Sequence, residues 1–301
     1  IDLLEANMSE LSGVIPPATT PFDVNGDILF DAAQMQIDWL IRQGISGVAV
    51  GGSTGEGHTL DAEETRDLVA SAIETAAGRV PIIAGIICDS TREAIRRGKL
   101  VAELKPAALQ VTPVHYLFRP SDEDMLEHFR AMTEETGQKI IIYNVVPWAY
   151  LSPALLLRVM REVPGVIGVK QSAGDLKLFA DLMMDARPGN LIFSAVDALM
   201  YSSYCLGAHG SIAAILAAAP GPSVNLWDAV QKGDHENAYD LHIKLLRTWN
   251  AMLPHDNLPA ATKHAQKIQG IEVGLPRKPM APVSPSQAKA IEAALKGLDL
   301  I

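Results

Sequence analysis

The chain has 301 residues, 48% hydrophobic and 20% charged, a composition that predicts a soluble globular protein of one barrel-type domain with an appendage or of two medium domains. A net charge of −10 with no basic run excludes a nucleic-acid partner, whose phosphates demand clustered Lys and Arg; no stretch nears the ~20 consecutive apolar residues of a membrane span. Cys88 and Cys205 form neither a metal-ligand spacing nor a disulfide framework, which predicts a reducing, cytoplasmic setting.

Residues 1–7 lack the basic and apolar regions of a secretory signal, and Met8 reads as a natural start with those residues added ahead of it. Strand-like and helix-like segments then alternate. A short apolar run at 14–19 precedes a turn at Asn25-Gly26-Asp27. Met35, Trp39 and Leu40 give helical spacing over 31–43, stopped by Gly44. Strand two is 48–50, with a loop over 51–58 and a helix over 61–77; strand three is 81–85. Ser90 with Glu93 three residues on predicts a capping box opening the next helix. Strand four (107–112), a helix (121–136) and strand five (139–143) follow. Ser152-Pro153 is a cap with proline at the first helical position. Strand six ends at Lys170, a helix covers 176–186, strand seven is 191–194 and a helix lies near 197–206. A weak eighth strand at 210–213 leads to a helix over about 222–232.

Eight such units predict an α/β fold, a parallel (β/α)8 TIM barrel over 10–233, with a C-terminal helical extension over 234–301 that packs three helices on it. A doubly wound open sheet is the competing architecture.

Barrels of this kind carry chemistry at the C-terminal ends of their strands. Strand six, Val166-Ile167-Gly168-Val169-Lys170, ends in a lysine before the small-residue turn Gln171-Ser172-Ala173-Gly174. Desolvation disfavours an ammonium there, and such an amine can form a Schiff base with a carbonyl substrate. A lysine that snorkels to water is the plainer alternative. The loop Gly51-Gly52-Ser53-Thr54-Gly55-Glu56-Gly57 offers hydroxyls and backbone N–H groups to a carboxylate. Its glycines fit neither nucleotide-binding spacing, and a tight turn that binds nothing is the rival reading. Tyr143 ends strand five, where a phenol could shuttle protons or simply pack under a loop. Thr112-Pro113-Val114-His115-Tyr116 adds an imidazole and a phenol near the same rim.

Gly52-Ser53-Thr54-Gly55-Glu56, Val111-Thr112-Pro113, Tyr143-Asn144, Gly168-Val169-Lys170-Gln171, Gly207-Ala208-His209-Gly210-Ser211 and Arg277-Lys278-Pro279 occur in the order found in one family. The chain resembles the dihydrodipicolinate synthases and N-acetylneuraminate lyases, the pyruvate-dependent class I aldolases. The resemblance implies a lyase in which Lys170 is the Schiff-base lysine and Tyr143 relays protons. It implies that Ser53 and Thr54, with Gly52, hold the pyruvate carboxylate, Thr54 also joining the relay. Ser172, Ser211 and Trp148 are further substrate-binding candidates. The family relay continues to a tyrosine from a neighbouring subunit; His115 occupies that position here, with Tyr116 beside it as the alternative. Glu56 reads as structural. No metal or organic cofactor is implied, since the iminium is the electron sink, and a homotetramer built as a dimer of dimers is expected.

Departures bear on the aldehyde partner. The synthases carry an arginine shortly after Tyr143-Asn144, whereas this chain has Val146-Pro147-Trp148-Ala149-Tyr150 and no arginine before Arg158. Loss of a charge-assisted carboxylate contact costs about 1.5–3 kcal/mol. The lyases' Asp-Glu pair after strand seven is Asp197-Ala198 here, their serine after strand eight is Ala214, and the Trp148 rim points to a less polar aldehyde. Dihydrodipicolinate synthase proper, a 2-keto-3-deoxy sugar acid aldolase or dehydratase, and a non-catalytic keto-acid-binding barrel stay open as alternatives.

Overall fold

The computed structural model describes residues 11–301; the reading of Met8 and residues 1–7 lies outside the described residues. Eight parallel strands run β1 (Gly13–Val14), β2 (Val48–Val50), β3 (Ile82–Ile86), β4 (Ala108–Val111), β5 (Ile140–Asn144), β6 (Val166–Gln171), β7 (Leu191–Ser194) and β8 (Gly210–Ser211). From β2 to β8 each strand pairs with the next in sequence, and β1 pairs with β8. The sheet closes where Pro17 bridges Ala49: Ala49 N donates to Pro16 O at 3.0 Å and Ala18 N to Ala49 O at 2.9 Å. This is the expected (β/α)8 barrel. Strand one is shorter than its apolar run because Pro16 and Pro17 have no N–H to give the ladder.

The helices are α1 (Phe30–Arg42), α2 (Ala62–Ala76), α3 (Thr91–Ala102), α4 (Asp122–Thr136), α5 (Pro153–Glu162), α6 (Leu176–Asp185), α7 (Met200–Cys205), α8 (Ala214–Ala218) and α9 (Pro220–Gln231). Then come α10 (His235–Met252), α11 (Leu258–Ile268) and α12 (Pro285–Lys296), the three helices expected after the barrel. Among the described residues no helix is long and apolar enough to cross a membrane.

Local chemistry sets the helix starts, with one exchange. Ser90 caps α3 by accepting from Glu93 N, but the Glu93 carboxylate turns to Arg96 and Arg97, so the box is not reciprocal. The reciprocal box opens α2: Asp61 accepts from Glu64 N at 2.8 Å, and Glu64 accepts from Asp61 N at 3.0 Å. Ser152 caps α5 as expected.

Alternation of side chains divides the core into two layers. Ile15, Ala49, Ile83, Ala108, Ile141, Phe193 and Ile212 fill the barrel interior. The outward residues, Val48, Val111, Ile142 and Val169 among them, meet the helices, and this layer runs on through Leu245, Met252, Ala261, Ala265 and Ile291 without a break at residue 233.

Candidate active site

One irregularity in β6 decides where Lys170 points. Val166 pairs with Ile140, but Gly168 pairs with Ile141, leaving Ile167 as an extra residue. Strict alternation from the inward Ile167 would put Lys170 on the outer face. The bulge restores the inward phase, so Val169 joins the outer layer and Lys170 sits beside Tyr143 in register on one face. Gly168 permits this, since a Cβ there would lie 2.2 Å from Leu191 O.

Lys170 is 4% exposed, and its Nζ lies 3.7 Å from the centroid of the Tyr143 ring. The Tyr143 hydroxyl donates to Ser53 Oγ at 3.0 Å. Next to this pair the strand ends are tied together. Asn144 Nδ2 donates to Gln171 Oε1 and to Leu151 O, both at 3.1 Å, while Asn144 Oδ1 accepts from Leu151 N at 2.8 Å. Two buried amides thus fix the ends of β5 and β6, and with them the phenol and the amine.

The loop after β2 folds back on itself: Glu56 N donates to Ser53 O and Gly57 N to Gly52 O, each at 3.0 Å. Gly57 has no room for a side chain, because a Cβ would meet Gly51 O at 1.8 Å. Glu56 holds a left-handed backbone at φ 54° and is fully buried. That conformation is costly for a residue with a Cβ. It is fixed by Lys263 of α11, whose Nζ donates to Glu56 Oε1 at 2.6 Å, and by Arg277 N, which donates to Oε2 at 2.8 Å. Burial pushes the Lys263 ammonium below its ordinary range, against the pull of Glu56.

These groups open on a cavity of about 380 Å³ at the C-terminal ends of the strands. Ser53, Thr54, Tyr143, Lys170 and Ser172 all line it. Asp197, only 7% exposed, lines it too; its Oδ1 accepts from Ile215 N at 2.7 Å, and burial raises its carboxyl to about 6 against backbone donors and Lys170. Asp197 was legible as a departure from the lyase pattern but not as a wall of the site. Trp249, Leu258, Pro259 and Met280 close the cavity from the C-terminal region. Nothing in their local sequence marks them, because helix packing alone brings them there.

The remaining candidates lie elsewhere. Gly52 shapes the loop without facing the cavity. Ser211 points outward, hydrogen-bonded to the Tyr204 hydroxyl on α7, since Ile212 takes the inward position. His115 Nδ1 lies 2.9 Å from Pro113 O and 3.4 Å from Asp89, and the His115 backbone N–H donates to Asp89 Oδ1. Tyr116 is 67% exposed and Trp148 70% exposed, with the indole N–H donating to the carbonyls of His115 and Tyr116 at 2.7 and 3.1 Å. Trp148 therefore pins the loop after β4 and does not rim this cavity.

A larger cavity of about 720 Å³ lies at the opposite end of the barrel, where Ile82, Ala107 and Lys139 stand at the strand beginnings. It brings together Arg79, Lys105 and Lys139 but no amine–phenol pair.

A buried amine against a phenol that is hydrogen-bonded to a loop hydroxyl is an arrangement suited to Schiff-base chemistry. Residues 10–298 match the model of the dihydrodipicolinate synthetase family. The chain belongs to that family. A 4-hydroxy-tetrahydrodipicolinate synthase of Leptothrix cholodnii is 32% identical, over 98% of this chain and 100% of the relative. The namesake of Bacillus subtilis is 30% identical, over 93% and 96%. A crystal structure of a dihydrodipicolinate synthase superposes with a TM-score of 0.90 at 30% identity, covering 97% of this chain and all of the other. Family members are lyases, and this chain is one of them.

Proposed function

We propose that the chain is a pyruvate-dependent class I aldolase whose nucleophile is Lys170. The single observation that carries the reading is the buried amine 3.7 Å from the ring of a phenol that is itself hydrogen-bonded to Ser53. The Lys170 amine attacks C2 of pyruvate, water leaves, and an iminium forms. Ser53 and Thr54 hold the carboxylate at the turned loop. A C3 proton departs to give an enamine, which bonds to an aldehyde carbon; the reverse sequence cleaves the adduct. Tyr143 moves the protons, with Ser53 as its hydrogen-bonded neighbour. The iminium is the electron sink, so the steps call on no metal or organic cofactor.

The reading extends to assembly. Tyr116, Leu117, Phe118 and Trp148 expose four large apolar side chains around one loop, the kind of patch that marks a subunit interface. A homotetramer arranged as a dimer of dimers would cover it, placing His115 or Tyr116 to extend a neighbour's relay. A cytoplasmic location fits the two unpaired cysteines.

Incubation with pyruvate, reduction with borohydride and peptide mapping test the chemistry. A reduced pyruvate adduct on Lys170, absent from Lys170→Arg, is expected. An adduct confined to another lysine, or none, would leave a non-catalytic binding barrel as the better account.

A further inference from the structure

We propose that the acceptor part of this cavity is built for an uncharged, largely apolar aldehyde, and that Asp197 disfavours acceptors bearing their own carboxylate. This rests on the keto-acid reading above and names the second substrate's class.

The argument starts from what the bound keto acid consumes. Its C2 takes Lys170, and its carboxylate takes the hydroxyls and backbone donors at Ser53 and Thr54. Among the described residues lining the cavity, His58 is then the one other side chain able to carry positive charge, and it is exposed at the loop after β2. No arginine is in the lining. Glu56 has both oxygens occupied, by Lys263 and by Arg277 N. Asp197 is different: it is buried on the wall and held by backbone donors, Ile215 N at 2.7 Å the shortest, with no cationic side chain hydrogen-bonded to it. Its carboxyl, raised by burial to about 6, is ionised at mildly alkaline pH. A second carboxylate entering here would face a like charge with no buried cation to pair with, the arrangement that makes burial of an ion most costly.

Apart from Ser172, the rest of the wall is apolar. Val145, Val196, Trp249, Leu258, Pro259 and Met280 surround the space, and the indole and thioether accept flat or flexible hydrocarbon equally. The bond-forming step balances without a further reactant. The enamine C3 bonds to the aldehyde carbon while the carbonyl π pair moves to oxygen, which takes a proton. Water then adds to the iminium, releasing a 4-hydroxy-2-keto acid and the free Lys170 amine.

The test pairs acceptors of one chain length, butanal and 4-oxobutanoate, with benzaldehyde as a second neutral probe, following pyruvate consumption. Borohydride trapping with pyruvate alone runs in parallel. We expect kcat/KM for both neutral aldehydes to exceed that for 4-oxobutanoate by roughly tenfold or more. Asp197→Asn, which keeps an oxygen for Ile215 N, should narrow that ratio by roughly fivefold. Met280→Lys, at another lining position, should narrow it by supplying a cation. Equal or reversed preference in the unaltered protein, or a ratio that neither variant moves, overturns the proposal. Normal trapping on Lys170 with no consumption of any neutral aldehyde overturns it too while sparing the Schiff-base reading. Failure of trapping removes that reading and this one together.

Discussion

A buried amine is a useful nucleophile only where a neighbour can take up and return protons as the carbon bonded to it changes state. In the proposed mechanism Tyr143 is that neighbour: its ring stacks on Lys170 Nζ and its hydroxyl reaches Ser53. Tyr143→Phe keeps the ring, and hence the packing and the cation–π contact, while deleting the proton carrier. A positioned general acid–base contributes about 10²–10⁴-fold. We therefore expect kcat to fall by at least ~10² with the fold intact, and borohydride trapping to slow without changing its site. Unchanged turnover in a folded Tyr143→Phe protein would show that protons travel by another route. Ser53, Thr54, Tyr143 and Lys170 were legible in the sequence because each ends a strand or opens a loop in a recognisable local motif. Asp197 as a wall of the cavity and Trp249 were not, because their places depend on which residues face them across it.

Alternating apolar segments, glycine stops and serine caps made the elements themselves legible, down to the N-cap at Ser152. Two features were hidden for physical reasons. The run Ala213-Ala214-Ile215-Leu216-Ala217-Ala218-Ala219 is apolar on every side, so it shows no helical face; it forms α8, wholly buried. The bulge in β6 is a property of two strands together, and no periodicity within β6 alone reveals it. Packing between elements also creates a pH response. His128, on α4, is buried against α3 with Nδ1 3.0 Å from Thr91 Oγ1, and desolvation pushes its imidazole down to about 4. The unfolded chain binds a proton near pH 6.5 and the folded one does not until about 4, so this group costs stability as pH falls through that window. Asp197 has the opposite sign: its raised carboxyl, about 6 against 3.8, favours the folded state progressively as pH falls over the same range. The two slopes offset each other in the intact protein. Their separation is measurable by urea unfolding of the unaltered protein and His128→Gln at several pH values. The stability difference between them should shift by about 3 kcal/mol in favour of the variant from pH 7.5 to 4. A difference independent of pH would mean that His128 is charged when folded.

At the scale of the molecule, the loop after β2 is held by residues from the far end of the chain. Lys263 reaches Glu56 across 207 positions, with both side chains almost wholly buried, and also donates to Leu275 O at 2.6 Å. Arg277 adds a clamp from the same region, its guanidinium bound to Glu64 at 2.5 and 2.9 Å and to Gly26 O. The boundary proposed at residue 233 therefore separates two regions that share a core and a charge network, and the loop's shape belongs to both. Removing one partner of a buried pair leaves an uncompensated charge and costs about 3–5 kcal/mol, whereas removing both can be close to neutral. Lys263→Met should thus destabilise the protein by that amount in urea unfolding and raise the KM for pyruvate, because Glu56 no longer anchors the turn carrying Ser53 and Thr54. Glu56→Gln combined with Lys263→Met should recover a large part of the stability. Recovery of KM should lag behind, since a neutral glutamine restores burial but not both anchoring hydrogen bonds. If the double variant were no more stable than Lys263→Met alone, the pair would not be coupled, and the loop's unusual backbone would have to be held by its own hydrogen bonds.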